Sequence, residues 1–179
     1  LDTLFNNAGV GIGSPEYLQT PREAWDLSYA VNVMGTAEFC RAALPVMRSG
    51  GGGVIVNNAS LAGLGSIVGM PACYTASKHA VVGLTKAIAQ EYGRHNVRCV
   101  AVCPGSIKTQ VYDAVLEAHM EMHDCSREEA EAMEASTIGL GYSAEPSEVA
   151  DVVAFLTSPA ARYITGVALP VAGGMAPGL

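Results

Sequence analysis

The chain has 179 residues, a formal net charge of −7, 50% hydrophobic residues and only 15% charged ones. This composition predicts a folded domain with a large core and argues against disorder. The negative charge argues against nucleic-acid binding, which needs a basic surface. No apolar run reaches the roughly 18 residues of a membrane span and no basic leader opens the sequence, so neither nucleic acid nor membrane is expected as a partner.

Apolar runs alternate with helical periodicity along the chain, which predicts an α/β fold. Four runs predict parallel strands buried on both faces: Leu1 to Asn6, Gly53 to Asn58, Val97 to Cys103 and Val167 to Val171. Three helices are predicted between and after them, at about Pro21 to Met47, Tyr74 to His95 and Ser147 to Thr157. Thr20 before Pro21, and Ser147 after Pro146, are the predicted helix caps.

The run Gly9-Val10-Gly11-Ile12-Gly13 follows the first strand and carries glycines at alternate positions. A dinucleotide-binding loop needs the spacing G-x-G-x-x-G and a helix directly after it. Neither condition is met, because Ser14-Pro15 follows. We predict a mobile loop at this place and no phosphate site.

Tyr74 and Lys78 are four residues apart at the start of a predicted helix, with Ser60 shortly upstream. Positions i and i+4 share one helix face, so the two side chains should lie side by side. An ammonium beside a phenol favours the phenolate and should lower its pKa from about 10 toward neutrality. Such a phenol acts as acid and base, while the Ser60 hydroxyl holds a substrate oxygen.

Polar and glycine-containing segments follow three of the predicted strands directly. They are Asn7 to Gly9, Ser60, and Pro104 to Thr109. Ligands of open α/β sheets bind beyond the carboxyl ends of the strands. We therefore expect these three loops to converge on one cleft.

The segment Thr109 to Ser136 predicts two short helices, Ala114 to His123 and Arg127 to Ala135, with Met120, Met122 and Met133 on an apolar inner face. His119 and His123 have helical metal-ligand spacing near the Cys125 thiol. The glutamate of an HExxH motif is missing between them, so no metal is expected. The five cysteines are odd in number and form no CxxC pair, which argues against a disulfide framework.

Five motifs occur in a fixed order and resemble those of the short-chain dehydrogenase/reductase family. They are Asn6-Asn7-Ala8-Gly9, Asn32-Val33-Met34-Gly35, Asn58-Ala59-Ser60-Leu61-Ala62-Gly63, Tyr74-x-x-x-Lys78 and Pro104-Gly105-Ser106-Ile107-Lys108-Thr109. The resemblance extends from Leu1 to about Gly174. It implies the C-terminal part of a Rossmann-like, doubly wound parallel sheet, in a single partial domain (1–179) with a substrate lid at 109–136.

The resemblance also implies roles for individual residues. Tyr74 would be the acid/base, Lys78 its pKa modulator and ribose ligand, Ser60 the anchor of the substrate oxygen, and Asn32 the holder of a water that links Lys78 to solvent. The implied cofactor is NAD or NADP, with NAD slightly preferred. The implied cofactor-binding residues are Asn7, Ala8, Gly9, Tyr74, Lys78, Pro104, Gly105, Ile107 and Thr109.

Three departures from the family pattern carry expectations. The first βαβαβ half, roughly 70 residues or more, is absent before Leu1, so we expect the chain alone to bind no cofactor tightly and to be inactive. Any targeting signal would lie there too, which leaves a cytoplasmic location as the default. The family's Asp-Gly-Gly reads Ala172-Gly173-Gly174, with no expected effect on chemistry. Ser60 precedes Tyr74 by fourteen residues, one more than expected, and the loop Gly65 to Pro71 should absorb the extra residue.

The implied activity is hydride transfer between a nicotinamide and a small secondary alcohol or ketone. The lid and the run Tyr163-Ile164-Thr165-Gly166 resemble polyol, diol and acetoin-type members of the family. The apolar outer face of the Tyr74 to His95 helix, together with the Pro21 to Met47 helix, predicts packing against another subunit. The resemblance implies a homodimer or homotetramer when the protein is full length. Two alternatives stay open: a non-catalytic nucleotide-sensing protein of the same fold, and an NAD-dependent epimerase or dehydratase.

Overall fold

A parallel sheet of four strands forms the centre of the computed structural model, which describes residues 1–177. The strands lie side by side in chain order: β1 (Thr3–Asn6), β2 (Gly53–Asn58), β3 (Val97–Pro104) and β4 (Ala168–Val171). Every neighbouring pair is parallel. The predicted α/β class and all four predicted strands are confirmed, with ends within two residues of the expected ones.

Within residues 1–177, six α-helices lie between the strands along the chain: α1 (Arg22–Ser28), α2 (Thr36–Ser49), α3 (Ala72–Tyr92), α4 (Gln110–His123), α5 (Arg127–Ser136) and α6 (Pro146–Thr157). A π-helix at Tyr29–Gly35 joins α1 to α2. The helix predicted at about Pro21 to Met47 is thus present, but its middle part is a π-helix, which was not predicted. Within the described residues, no helix is both long and apolar enough to cross a membrane.

Both predicted helix caps were wrong. Helix α1 starts after Pro21 without a side-chain cap. The Thr20 hydroxyl instead accepts from the Ser14 amide at 3.2 Å and donates to the Ser14 carbonyl at 3.0 Å. Helix α6 begins at Pro146, because the first helical position needs no backbone N–H for an intrahelical hydrogen bond. The N-cap residue is therefore Glu145, which forms a capping box with Glu148.

The sheet is covered on both faces, which explains its nearly continuous apolar strands. On one face, Ile55 and Cys99 pack with Met47 of α2 and Ile88 of α3. On the other face the core residues are Val54, Val56, Val100, Val102 and, from α6, Leu156. The strands are thereby held in one register, and their carboxyl ends come to a common edge.

A polar cluster lies inside this core. Asn57 is fully buried; its amide oxygen accepts from Asn6 at 2.8 Å and its amide nitrogen donates to Thr85 of α3 at 2.9 Å. Two cysteines complete the cluster, and burial raises the pKa of Cys40 to about 11 and that of Cys99 to about 12. Both are therefore neutral thiols that hydrogen-bond to the asparagines.

The two helices predicted within 109–136 are confirmed as α4 and α5, and they pack through Tyr112, Leu116 and Ala130. The predicted methionine face is only partly correct. Met120 packs against this cluster, but Met122 is 75% exposed and Met133 is 37% exposed. In the part of the chain that the structure describes, no group of three or more His, Cys, Asp or Glu side chains could hold a metal ion.

Gly63 provides a test of the packing between the Ser60 loop and α3. A Cβ at Gly63 would lie 2.8 Å from the backbone oxygen of Lys78. We expect Gly63→Ala to lower the free energy of unfolding by about 1–3 kcal/mol, because backbone cannot yield as a flexible side chain does. The measurement is urea unfolding of the complete protein.

Gly83→Ala is the matched control. Gly83 lies on the exposed side of α3 with nothing within 4 Å of the added methyl. This change should raise stability by about 0.5–1 kcal/mol, since alanine favours a helix over glycine. Equal effects of the two substitutions would contradict the proposed close contact at Gly63.

Candidate active site

The candidate site lies at the carboxyl edge of the sheet, where the predicted loops emerge. Asn7, Ala8 and Gly9 are exposed directly after β1. Ser60 follows β2 and caps a short 3₁₀ turn at Leu61–Gly63 by accepting from the Ala62 amide at 3.1 Å. The chain from Leu64 to Pro71 is without helix, and it provides the loop in which the extra residue before Tyr74 was expected.

Tyr74 and Lys78 lie side by side on the first turns of α3. The Lys78 ammonium is 5.6 Å from the centre of the Tyr74 ring. It donates a 2.8 Å hydrogen bond to the backbone carbonyl of Asn58, the last residue of β2. Only 4% of Lys78 is exposed, so its charge is almost completely removed from water.

Burial dominates the ionisation of this pair. It lowers the pKa of Lys78 to about 8, and the neighbouring Cys103 acts in the opposite direction. Burial also raises the pKa of Tyr74, while the Ser60 hydroxyl beside the phenol acts to lower it. The prediction that the ammonium brings the phenol toward neutral pH was therefore wrong for this structure, because desolvation of the phenolate outweighs its favourable neighbours.

Asn32 is held in the π-helix and is 1% exposed. Its amide oxygen accepts from the Val10 N–H at 2.8 Å, and its amide nitrogen donates to the Val10 carbonyl and to the Ser77 hydroxyl, both at 3.0 Å. Ser77 in turn donates to the Tyr74 carbonyl at 2.7 Å. The contacts of Asn32 thus join the glycine loop to α3. Sequence analysis missed Val10 and Ser77, for which no local pattern gives a signal.

Gly9 lies against the two buried polar side chains of the site. A Cβ at Gly9 would be 3.2 Å from the Asn32 amide oxygen and 3.3 Å from the Lys78 ammonium. Next to it, the Asn7 amide oxygen accepts from the Asn58 side chain at 2.9 Å. Gly9 therefore leaves room for the protein's own polar groups. Asn58 belongs to one of the five motifs, but no role in the site was predicted for it.

The Pro104 to Thr109 loop is held by a different set of contacts. The Gly105 N–H donates to the Val171 carbonyl at 3.1 Å, and Ile107 forms a bridge with Ala144. A Cβ at Gly105 would lie 2.9 Å from the Cβ of Ala172. The alanine that replaces the family's aspartate thus packs directly on this loop, although no effect of it on the site was expected. Thr109 precedes α4, and its hydroxyl donates to the Ile107 carbonyl at 3.3 Å.

The arrangement fits a nicotinamide cofactor on its nicotinamide side. A buried ammonium, a phenol and a serine hydroxyl come together at the edge of the sheet where exposed backbone of Asn7 to Gly9 is accessible. Such groups can donate hydrogen bonds to hydroxyl and carbonyl oxygens. Together these three side chains can donate and accept one proton, which is carried by the Tyr74 phenol.

The chain is similar to known oxidoreductases. A family model described as enoyl-(acyl carrier protein) reductase matches residues 1–176. The chain is 39% identical over 168 residues to (3R)-3-hydroxyacyl-CoA dehydrogenase of Rattus norvegicus, covering 93% of this chain and 60% of that protein. It is 39% identical over 174 residues to meso-2,3-butanediol dehydrogenase of Serratia marcescens, covering 97% and 64%. The chain thus spans about 60–66% of the length of the curated relatives that it matches.

A solved structure shows the same fold. The crystal structure of a variant of actinorhodin polyketide ketoreductase with NADPH is 37% identical and superposes with a TM-score of 0.91, covering 98% of this chain and 67% of that one. The Rossmann-like α/β architecture is therefore shared. The match of the family model over nearly the whole chain establishes that it belongs to the short-chain dehydrogenase/reductase family.

Proposed function

We propose that this chain is the catalytic part of an NAD- or NADP-dependent oxidoreductase that interconverts small secondary alcohols and ketones. The observation that carries the proposal is the half-buried Tyr74 phenol, with the Ser60 hydroxyl and the buried Lys78 ammonium as its neighbours. The similarity to a butanediol dehydrogenase supports a small hydroxylated substrate. The direct test is to assay the complete protein with NAD or NADP and a panel of secondary alcohols, and to follow the absorbance of the reduced nicotinamide.

The chain's own residues manage the proton. A raised pKa keeps Tyr74 protonated at neutral pH, so it gives its proton to the substrate oxygen when a ketone is reduced. In the oxidation direction the phenolate must form, and the Lys78 ammonium 5.6 Å from the ring stabilises it. Ser60 donates its hydroxyl proton to the substrate oxygen in both directions. Nicotinamide, when bound, supplies or accepts the hydride.

Residues 1–177 provide the nicotinamide side of the cofactor site in this proposal. Lys78 and Tyr74 would hold the ribose, and the backbone of Asn7 to Gly9 and the Pro104 to Thr109 loop would border the ring. Helices α4 and α5, which follow the Pro104 loop directly, form the substrate lid.

An apolar face supports self-association as a homodimer or homotetramer. Large hydrophobic side chains are exposed along the helical run from α1 to α2: Leu27, Tyr29, Met34, Phe39 and Val46. Ala87 on α3 is exposed as well. Several large apolar side chains exposed on one helical run favour a protein interface there.

Tyr74→Phe in the complete protein should lower kcat by about 10² to 10⁴, because only the proton donor is lost. Binding of the cofactor, measured by calorimetry, should stay nearly unchanged. A variant that keeps more than about a tenth of the wild-type rate would contradict a role of Tyr74 as general acid/base.

Lys78→Met should reveal the cost of burying the ammonium. The pKa of Lys78 is about 8 in the folded protein, whereas its ordinary value of 10.5 applies to the unfolded chain. Between pH 8 and 10.5 the unfolded chain therefore binds more protons than the folded protein, and the free energy of unfolding of the wild type rises with pH. At pH 7 we expect the variant to be more stable by up to about 3 kcal/mol, a gap that narrows as pH rises from 8 to 10. Urea unfolding at several pH values measures this gap.

Lys86→Met, on the exposed side of the same helix, is the control and should follow the wild-type slope. If the stability of Lys78→Met also changes with pH at the wild-type slope, the Lys78 ammonium is not desolvated as described.

Phe39→Asp should dissociate the oligomer, because Phe39 is 65% exposed on helix α2 and a carboxylate there would be desolvated in an interface. Sedimentation velocity of the complete protein measures the change. Met122→Asp on the lid is the control and should leave the sedimentation coefficient unchanged. A monomeric wild type would remove the proposal of self-association.

A further inference from the structure

The three alternate glycines of the loop after β1 meet different surroundings. A Cβ at Gly9 would touch Asn32 and Lys78, as described above. Gly13 has φ +117°, and its Cβ would lie 2.9 Å from the Cys73 sulfur, so only glycine is tolerated there. At Gly11 the added Cβ would lie 3.8 and 3.9 Å from Cε2 and Cδ2 of Tyr74, which is ordinary van der Waals contact. The backbone there is outside the left-handed region.

This loop was predicted to be mobile, but hydrogen bonds anchor it on both sides of Gly11. Val10 is bound through both its N–H and its carbonyl to the Asn32 side chain. Ile12 accepts a 3.2 Å hydrogen bond from the thiol of Cys73, a fully buried residue directly before Tyr74. The position of Gly11 against the ring is thereby fixed.

The missing side chain of Gly11 leaves space at the reacting end of the tyrosine. Gly11 is exposed, and Cε2 is the ring carbon next to the one that carries the hydroxyl. When the substrate oxygen binds the Tyr74 hydroxyl, the carbinol carbon lies next to it. The two substituents of that carbon must then lie near the hydroxyl end of the Tyr74 ring. One of them faces the space beside Gly11.

We infer that Gly11 is a specificity-determining residue, which admits a substituent larger than methyl on one side of the carbinol carbon. The inference rests on the proposed oxidoreductase function. A valine at this position fills the space beside Tyr74 and excludes larger groups, whereas it leaves the phenol, Lys78 and Ser60 in place.

The test compares the symmetric alcohols propan-2-ol, pentan-3-ol and heptan-4-ol, which present the same group to Gly11 whichever way they bind. In the complete protein, Gly11→Val should lower the ratio of kcat/KM for heptan-4-ol to that for propan-2-ol by about tenfold or more, as expected for a pocket that loses room for a methylene. Gly11→Ala should shift the ratio in the same direction by less. Gly93→Ala, where the methyl meets nothing within 4 Å, should leave it unchanged.

A second measurement does not depend on turnover. Tetranitromethane nitrates the ring carbons next to the hydroxyl, so Gly11→Val should slow nitration of Tyr74 severalfold, as followed by peptide mass spectrometry. Tyr163, which is fully exposed, is the internal control and should react as in the wild type.

The outcomes separate the two proposals. An active wild type whose size ratio is unchanged by both Gly11 substitutions overturns the role of Gly11 and leaves the oxidoreductase intact, whether or not nitration slows. A wild type that turns over no alcohol with either cofactor overturns the proposed function, and the specificity role falls with it. Undiminished nitration of Tyr74 in Gly11→Val overturns the geometric basis.

Discussion

The buried ammonium of Lys78 is the constraint around which the rest of the site is arranged. Its charge is nearly removed from water, and none of the ion pairs among residues 1–177 involves it. A carbonyl at the end of β2 receives it instead, so α3 must approach the edge of the sheet closely. Two glycines make that approach possible: Gly63 lies against the Lys78 backbone, and Gly9 lies against its ammonium. Larger residues at either place would push the helix away from the strand that holds its charge.

This charge differs in kind from those on the surface. Lys108 and Glu145 form a 2.8 Å ion pair with side chains that are 49% and 57% exposed, a setting in which pairs contribute about 0–1 kcal/mol. Lys78 has no such screening, and its lowered pKa expresses the free energy that burial costs. An enzyme that keeps a destabilising charge beside a half-buried phenol gains a nearby positive group at the moment when a phenolate forms. In this sense stability and the proposed chemistry oppose each other at one residue.

Buried amides connect the sheet, the glycine loop and α3. Asn57 joins β1 to α3 across the core, and Asn32 joins the loop after β1 to the turn of α3 that carries Tyr74. An unpaired buried amide would cost about 1–3 kcal/mol, so each connection stabilises only the arrangement that satisfies it. Asn32 lies in the π-helix, a deformation that often occurs at functional sites. The position of Tyr74 is thus determined by contacts with segments far away in the chain.

The sequence by itself determined the four strands and the shared face of Tyr74 and Lys78. Strands buried on both faces must be continuous apolar runs, and the helical repeat alone brings positions 74 and 78 together. The carboxyl ends of the strands in a parallel sheet lie at one edge, so the sequence also predicted that the loops after β1, β2 and β3 converge. The tertiary structure alone decided the partners of Asn32 and the packing of Ala172 on Gly105, because these are contacts between residues 22 to 67 positions apart. It also decided the direction of the Tyr74 pKa, since burial is produced by neighbours that no local pattern identifies.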